Sequence, residues 1–204
     1  MAKIKICGIT SLKEIAFINR LKPDYIGFVF ADSRRKIDYN TAKLLKAELN
    51  KDIETVGVFV NEDIDYIKRL CDDEVIDLIQ LHGDEDNEYI ERLRQNTESA
   101  VIKAVRVKGA ESVSMASKFT CDYILFDSCS AKGRGGTGEG FDYSLLKSYN
   151  KDFFLAGGLN CVNAAVVTEL LNPFCVDVSS GVETDGMKDE SKVSNFIEKI
   201  RSVE

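Results

Sequence analysis

The segment KIKICGITSLKEIAFINRLKPDYIGFVF, residues 3–30, decides the fold. It opens on KIKICGI, a strand-length run in which isoleucines alternate with lysines and a cysteine. Ser11 follows, with Glu14 three residues later. That spacing is a capping box and starts a helix over SLKEIAFINRLK. YIGFVF then reads as a second strand. Strand, helix, strand implies parallel pairing through a right-handed crossover. The alternation continues to the end of the chain. ETVGVFV, VIDLIQLHG, AVIKAVRV, DYILFDS, DFFLAGG and CVDVSSG are further strands, rich in Val, Ile, Phe and Tyr. NEDIDYIKRLCDDE, DEDNEYIERLRQN, NCVNAAVVTELL and DESKVSNFIEKIRSVE space their apolar residues as helices do. Eight strand–helix units predict an α/β fold closed into a (β/α)8 TIM barrel, one domain over residues 1–204. A doubly wound open sheet is the alternative.

The apolar fraction of 44% and the charged fraction of 30% are ordinary for a globular protein. A net charge of -7 argues against a nucleic-acid surface but leaves room for a local anion pocket. The six cysteines form no C-x-x-C pair and there is one histidine, so no metal site is expected. No apolar run matches a signal peptide or a membrane span. The expected location is the cytoplasm, with free thiols, several of them simply small buried residues.

A barrel places its active site at the carboxyl ends of its strands. Unusual residues gather there: Cys7, Arg35, His82, Asp127, Gly157-Gly158 and Ser179-Ser180-Gly181. Strand pleat puts Lys5 and Cys7 on the face opposite Ile4 and Ile6, pointing into the barrel. The same alternation pairs Leu125 with Asp127, Gln80 with His82, and Asp177 with Ser179. Cys7 reads either as a small apolar residue or as a base or nucleophile, its thiol acidified by Lys5 and by the helix that starts near Ser11. Asp127 ends an apolar run. A poorly solvated carboxyl group there can deliver a proton; a helix cap or a partner for Lys5 is the alternative. Arg35, beside Arg34, suits a carboxylate clamp or a solvated basic loop. His82 reads mainly as structural. AGGLN and VSSGVE bring small residues to the loops after the seventh and eighth strands, where phosphate sites recur; tight-turn glycines are the alternative. KGRGGTGEGFD lacks the ending of a P-loop and reads as a loop over the site.

KICGIT, GFVF, SRRKI, VGVFVN, QLHG, IKAV, LFD, GGTGEGFDYSLL, LAGGLN and VDVSSGVE, in this order over nearly the whole chain, resemble the signature segments of phosphoribosylanthranilate isomerase. The resemblance implies a single-domain (β/α)8 barrel of tryptophan biosynthesis. Such a barrel converts N-(5-phosphoribosyl)anthranilate into 1-(2-carboxyphenylamino)-1-deoxyribulose 5-phosphate by an Amadori rearrangement, with neither metal nor organic cofactor. It implies Cys7 as general base, Asp127 as general acid and Arg35 on the substrate carboxylate. Gly157, Gly158, Ser179, Ser180 and Gly181 then cradle the phosphate, with Asp177 at the edge and Lys5 and His82 as supporting groups. The expected partner is a small phosphorylated substrate, with no nucleic acid and no membrane. The chain shows no obvious exposed apolar stripe and is expected to act as a monomer, a homodimer being the alternative. FADSRRKI lacks the proline many relatives carry, Cys129 is an extra cysteine near Asp127, and Met187 stands where a basic residue is common. Two rivals are another phosphosugar barrel of histidine or tryptophan biosynthesis and a non-catalytic phosphate sensor; the sensor would not need both Cys7 and Asp127.

Overall fold

A computed structural model describes residues 1–127 and 143–203. Eight parallel strands close into a barrel in sequence order. They are β1 (Lys3–Cys7), β2 (Tyr25–Val29), β3 (Glu54–Phe59), β4 (Leu78–Leu81), β5 (Val101–Arg106), β6 (Tyr123–Asp127), β7 (Phe153–Ala156) and β8 (Cys175–Val178). The outer layer holds α1 (Leu12–Leu21), α2 (Tyr39–Ala47), α3 (Ile64–Asp72), α4 (Asn87–Arg94), α5 (Ala110–Ala116), α6 (Ala164–Leu171) and α7 (Glu190–Arg201). All eight strands of the sequence reading are present, and closure of β8 onto β1 excludes the open sheet.

Pleat alternation sorts the side chains as expected. Ile4 and Ile6 join the core between strands and helices, while Tyr25, Val56, Leu78, Ile102, Leu125 and Phe154 fill the barrel's lower interior. Cys175 packs in this lower layer as a small apolar residue. The capping box of α1 forms in full. Glu14 accepts from the backbone of Thr10 and Ser11 at 2.7 and 3.0 Å, and Ser11 Oγ accepts from the Glu14 amide.

Two elements differ from the regular alternation. After β6 the first described segment is a 3-10 turn over Tyr143–Ser148, where YSLLKS buries only Leu146. After β8 the chain makes a hairpin, β9 (Glu183–Thr184) with β10 (Met187–Lys188), before α7. Asp185 and Gly186, at φ 52 and 82, form its left-handed turn, the dipeptide that such turns favour. One expectation is corrected. Val166 and Leu170, at i and i+4 on α6, are exposed, and Val162 in the turn before the helix is exposed beside them, an apolar stripe at that end of the outer layer. Among the described residues no helix is long and apolar enough to cross a membrane.

Candidate active site

The carboxyl ends of the strands surround a cavity of about 430 Å³. Its floor and walls are the inward positions that the pleat assigns: Cys7, Val29, Val58, Gln80, Ala156 and Asp177. Asp127, Arg35 and His82 line it too, as do Gly157, Gly158, Ser179, Ser180 and Gly181. Every candidate site residue except Lys5 therefore faces one space. Lys5 lies directly beneath it. A larger cleft of about 750 Å³, around Lys46 and Asp77, contains none of them.

Lys5 is fully buried and bonds Asp177 Oδ2 at 2.9 Å. Burial opposes its charge, but Asp177 and Cys7 outweigh that and raise its pKa. Asp177 thus faces downward to a buried cation. Cys7, 9% exposed, is lifted above the ordinary thiol range. Burial is the main cause and Asp177 adds to it; Lys5 and Lys188 pull the other way and do not win. The net acidification anticipated for this thiol is absent, because burial outweighs the Lys5 charge, which Asp177 also offsets. Room for the sulfur comes from Gly27 on β2, paired with Cys7: a Cβ there would sit 2.7 Å from Sγ.

Arg35 lies across Gly8, whose φ is +86 and where a Cβ would meet Arg35 Cδ at 2.4 Å. Its Nε and Nη2 bond Glu183 Oε1 and Oε2 at 2.7 and 3.0 Å, a bidentate pair that raises its pKa. Glu183 also accepts from Arg34 and from Lys188, each at 2.5 Å. Its side chain is only 4% exposed. Burial disfavours its charge, but the Arg35 and Lys188 bonds prevail and lower its pKa. Lys188 Nζ reaches Ser179 O and Oγ at 3.3 Å, and Ser179 Oγ donates to Cys7 O at 2.9 Å. The Lys188 amide bonds Glu14 Oε1 at 3.0 Å, tying the hairpin to α1. Sequence reasoning missed both Glu183 and Lys188. The Asp185-Gly186 turn signal was there to be read, and it would have folded the two residues back onto the strand ends.

Gly157 and Gly158 have φ of 85 and 67, and a Cβ on Gly181 would lie 1.9 Å from Leu159 O. The two small-residue loops therefore touch, and only glycine permits it. His82 Nε2 lies 3.2 Å from Asp127 Oδ2. The loop KGRGGTGEGFD and Cys129 lie outside the described residues. Among the described residues no three His, Cys, Asp or Glu side chains gather as metal ligands.

A family model described as "N-(5'phosphoribosyl)anthranilate (PRA) isomerase" matches residues 4–199. The N-(5'-phosphoribosyl)anthranilate isomerase of Endomicrobium trichonymphae is 51% identical over 203 residues, the whole of both chains. The dimeric phosphoribosylanthranilate isomerase of Thermotoga maritima, in a form generated as monomers, superposes with a TM-score of 0.84 at 34% identity, over 98% of this chain and 99% of that one. A phosphoribosylanthranilate isomerase in complex with reduced 1-(o-carboxyphenylamino)-1-deoxyribulose 5-phosphate gives 0.84 at 33%, over the same shares. With its barrel, its strand-end cavity and a relative this similar along its full length, the chain belongs to the N-(5'-phosphoribosyl)anthranilate isomerase family.

Proposed function

We propose that this isomerase of tryptophan biosynthesis performs its Amadori rearrangement with Cys7 as general base and Asp127 as general acid. Asp127 gives a proton to the furanose ring oxygen of N-(5-phosphoribosyl)anthranilate. The C1–O bond breaks, its electrons go to that oxygen, and the anilino nitrogen forms an iminium with C1. Cys7 thiolate then takes the C2 proton, and the C2–H electrons neutralise the iminium to an enolamine. Tautomerisation gives 1-(2-carboxyphenylamino)-1-deoxyribulose 5-phosphate. Acid and base can act on one sugar only if both its ends are fixed.

The observation that carries this reading is the shared cavity. Cys7 from β1 and Asp127 from β6 line it together, with the glycine loops after β7 and β8 between them. Those loops offer backbone N–H groups to the phosphate. Arg35 supports the carboxylate end. Glu183 occupies its Nε side, which leaves the outer Nη1/Nη2 edge for the substrate. Arg34, Arg35, Lys188 and Glu183 together carry two net positive charges, suited to a dianionic phosphate and a carboxylate.

The test follows loss of substrate fluorescence, with the labile substrate made in place from anthranilate and phosphoribosyl pyrophosphate by a separate transferase. Cys7→Ser and Asp127→Asn should each lower kcat by about 100-fold or more while circular dichroism stays native. Near-normal turnover by either folded variant removes that residue from its role. No turnover by the intact chain, with phosphate still bound, would favour the sensor.

A further inference from the structure

Gln80, His82 and Asp127 form a hydrogen-bonded row that crosses from β4 to β6 at the mouth of the barrel. Gln80 Nε2 lies 2.9 Å from His82 Nδ1, and His82 Nε2 lies 3.2 Å from Asp127 Oδ2. Gln80 is 1% exposed, and all three side chains line the cavity that holds Cys7. An amide nitrogen has only donors to offer. Nδ1 must then accept, which leaves the proton on Nε2, where it is donated to the Asp127 carboxyl group. Oδ2 is held in this way. Oδ1 makes no hydrogen bond among the described residues and remains for the cavity.

We infer that His82 is a positioning residue for Asp127, kept as its Nε2–H tautomer by Gln80, and that this N–H stabilises the carboxylate as Asp127 gives up its proton. The inference rests on the reading of Asp127 as the acid. A donor fixed on Oδ2 holds the carboxyl group in place and faces the negative charge that develops on it in the step that breaks the C1–O bond. A neutral ring is sufficient. Asp127 from β6 is the ring's ionic partner among the described residues. In the adjoining cleft Lys103 of β5 and Glu85 of the loop after β4 are paired with each other at 2.6 Å, and Arg106 lines the rim. The reversed Gln80 amide is the competing arrangement. It would bring Oε1, buried without a partner among the described residues, onto a protonated Nδ1.

His82 is the only histidine, so long-range 1H–15N correlation spectra of the intact protein read this ring alone. The neutral ring should show the Nε2–H pattern. Gln80→Glu puts an acceptor opposite Nδ1, and it should move the proton there and lower kcat by about tenfold. His82→Leu should lower kcat by about 100-fold with KM within about twofold. His82→Gln, which keeps an N–H for Oδ2, should recover most of that loss. An Nδ1–H pattern in the unaltered protein overturns the inference, as does full kcat in folded His82→Leu. Full turnover by Asp127→Asn would instead remove the reading beneath it, whatever the ring shows.

Discussion

Cys7 is pulled in opposite directions by its neighbours. Lys5 and Lys188 favour the thiolate, while burial and the Asp177 charge favour the thiol and prevail. A base works only when deprotonated. A raised pKa therefore leaves the proposed base mostly protonated at neutral pH, and the active fraction grows as pH rises. The sign gives a prediction that reads the thiol alone: the rate constant for alkylation of Cys7 in the free enzyme by iodoacetamide, taken as the difference from Cys7→Ser protein, should climb about tenfold per pH unit above pH 7 until Cys7 titrates. A rate constant already level at pH 7 would mean that the two lysines, not burial and Asp177, decide the state of this thiol. The placement of Cys7 was legible from the pleat of five residues. Its pKa was not, because it depends first on burial in the closed barrel and then on Asp177, which lies 172 positions from the Lys5 it bonds.

At the scale of the element, the β9–β10 hairpin does more for the site than its four strand residues suggest. It carries Glu183 and Lys188 at paired positions, so one short turn delivers both an anion and a cation to the strand ends. The Glu14 carboxylate of α1 fixes the hairpin from one side, through the Lys188 amide. Arg35, in the loop after β2, completes it from the other. Glu183 should therefore set how well Arg35 meets a carboxylate without touching the chemistry at C2. Glu183→Gln is expected to raise KM by about tenfold and to leave kcat within about a factor of three, the pattern of lost uniform binding. Steady-state kinetics decide it. An unchanged KM would mean that Arg35 keeps its place without the carboxylate, and a collapse of kcat alone would put Glu183 in the chemistry. In the sequence, DGMKD stands out only for Met187. The charge pattern alone does not disclose that two of the hairpin's side chains fold inward, since Arg34 and Arg35, which hold Glu183, and Glu14, which holds the Lys188 amide, arrive from the other end of the chain.

For the whole molecule, the eight-fold alternation of strands was legible because a parallel barrel buries both faces of each strand and its helices repeat the apolar spacing. The surface was less legible. The stripe on α6 went unread because NCVNAAVVTELL is apolar almost throughout, and such a helix does not declare from sequence which face stays outside. Its consequence is a question of assembly. Val162 and Val166 are 88% and 66% exposed and Leu170 extends the row. Three such side chains cover a few hundred Å², within what ordinary monomers expose. A stable homodimer buries about 800 Å² on each partner, so this stripe falls short unless the surrounding rim adds to it. The Thermotoga maritima relative is described as dimeric, which makes the point worth measuring in this chain. We expect sedimentation velocity to give a single species at 22.7 kDa across the micromolar range. A species of twice that mass would overturn the monomer. If Val166→Glu then returned it to one chain, the α6 stripe would be the interface; if it did not, the contact would lie on another face and the stripe would be ordinary surface.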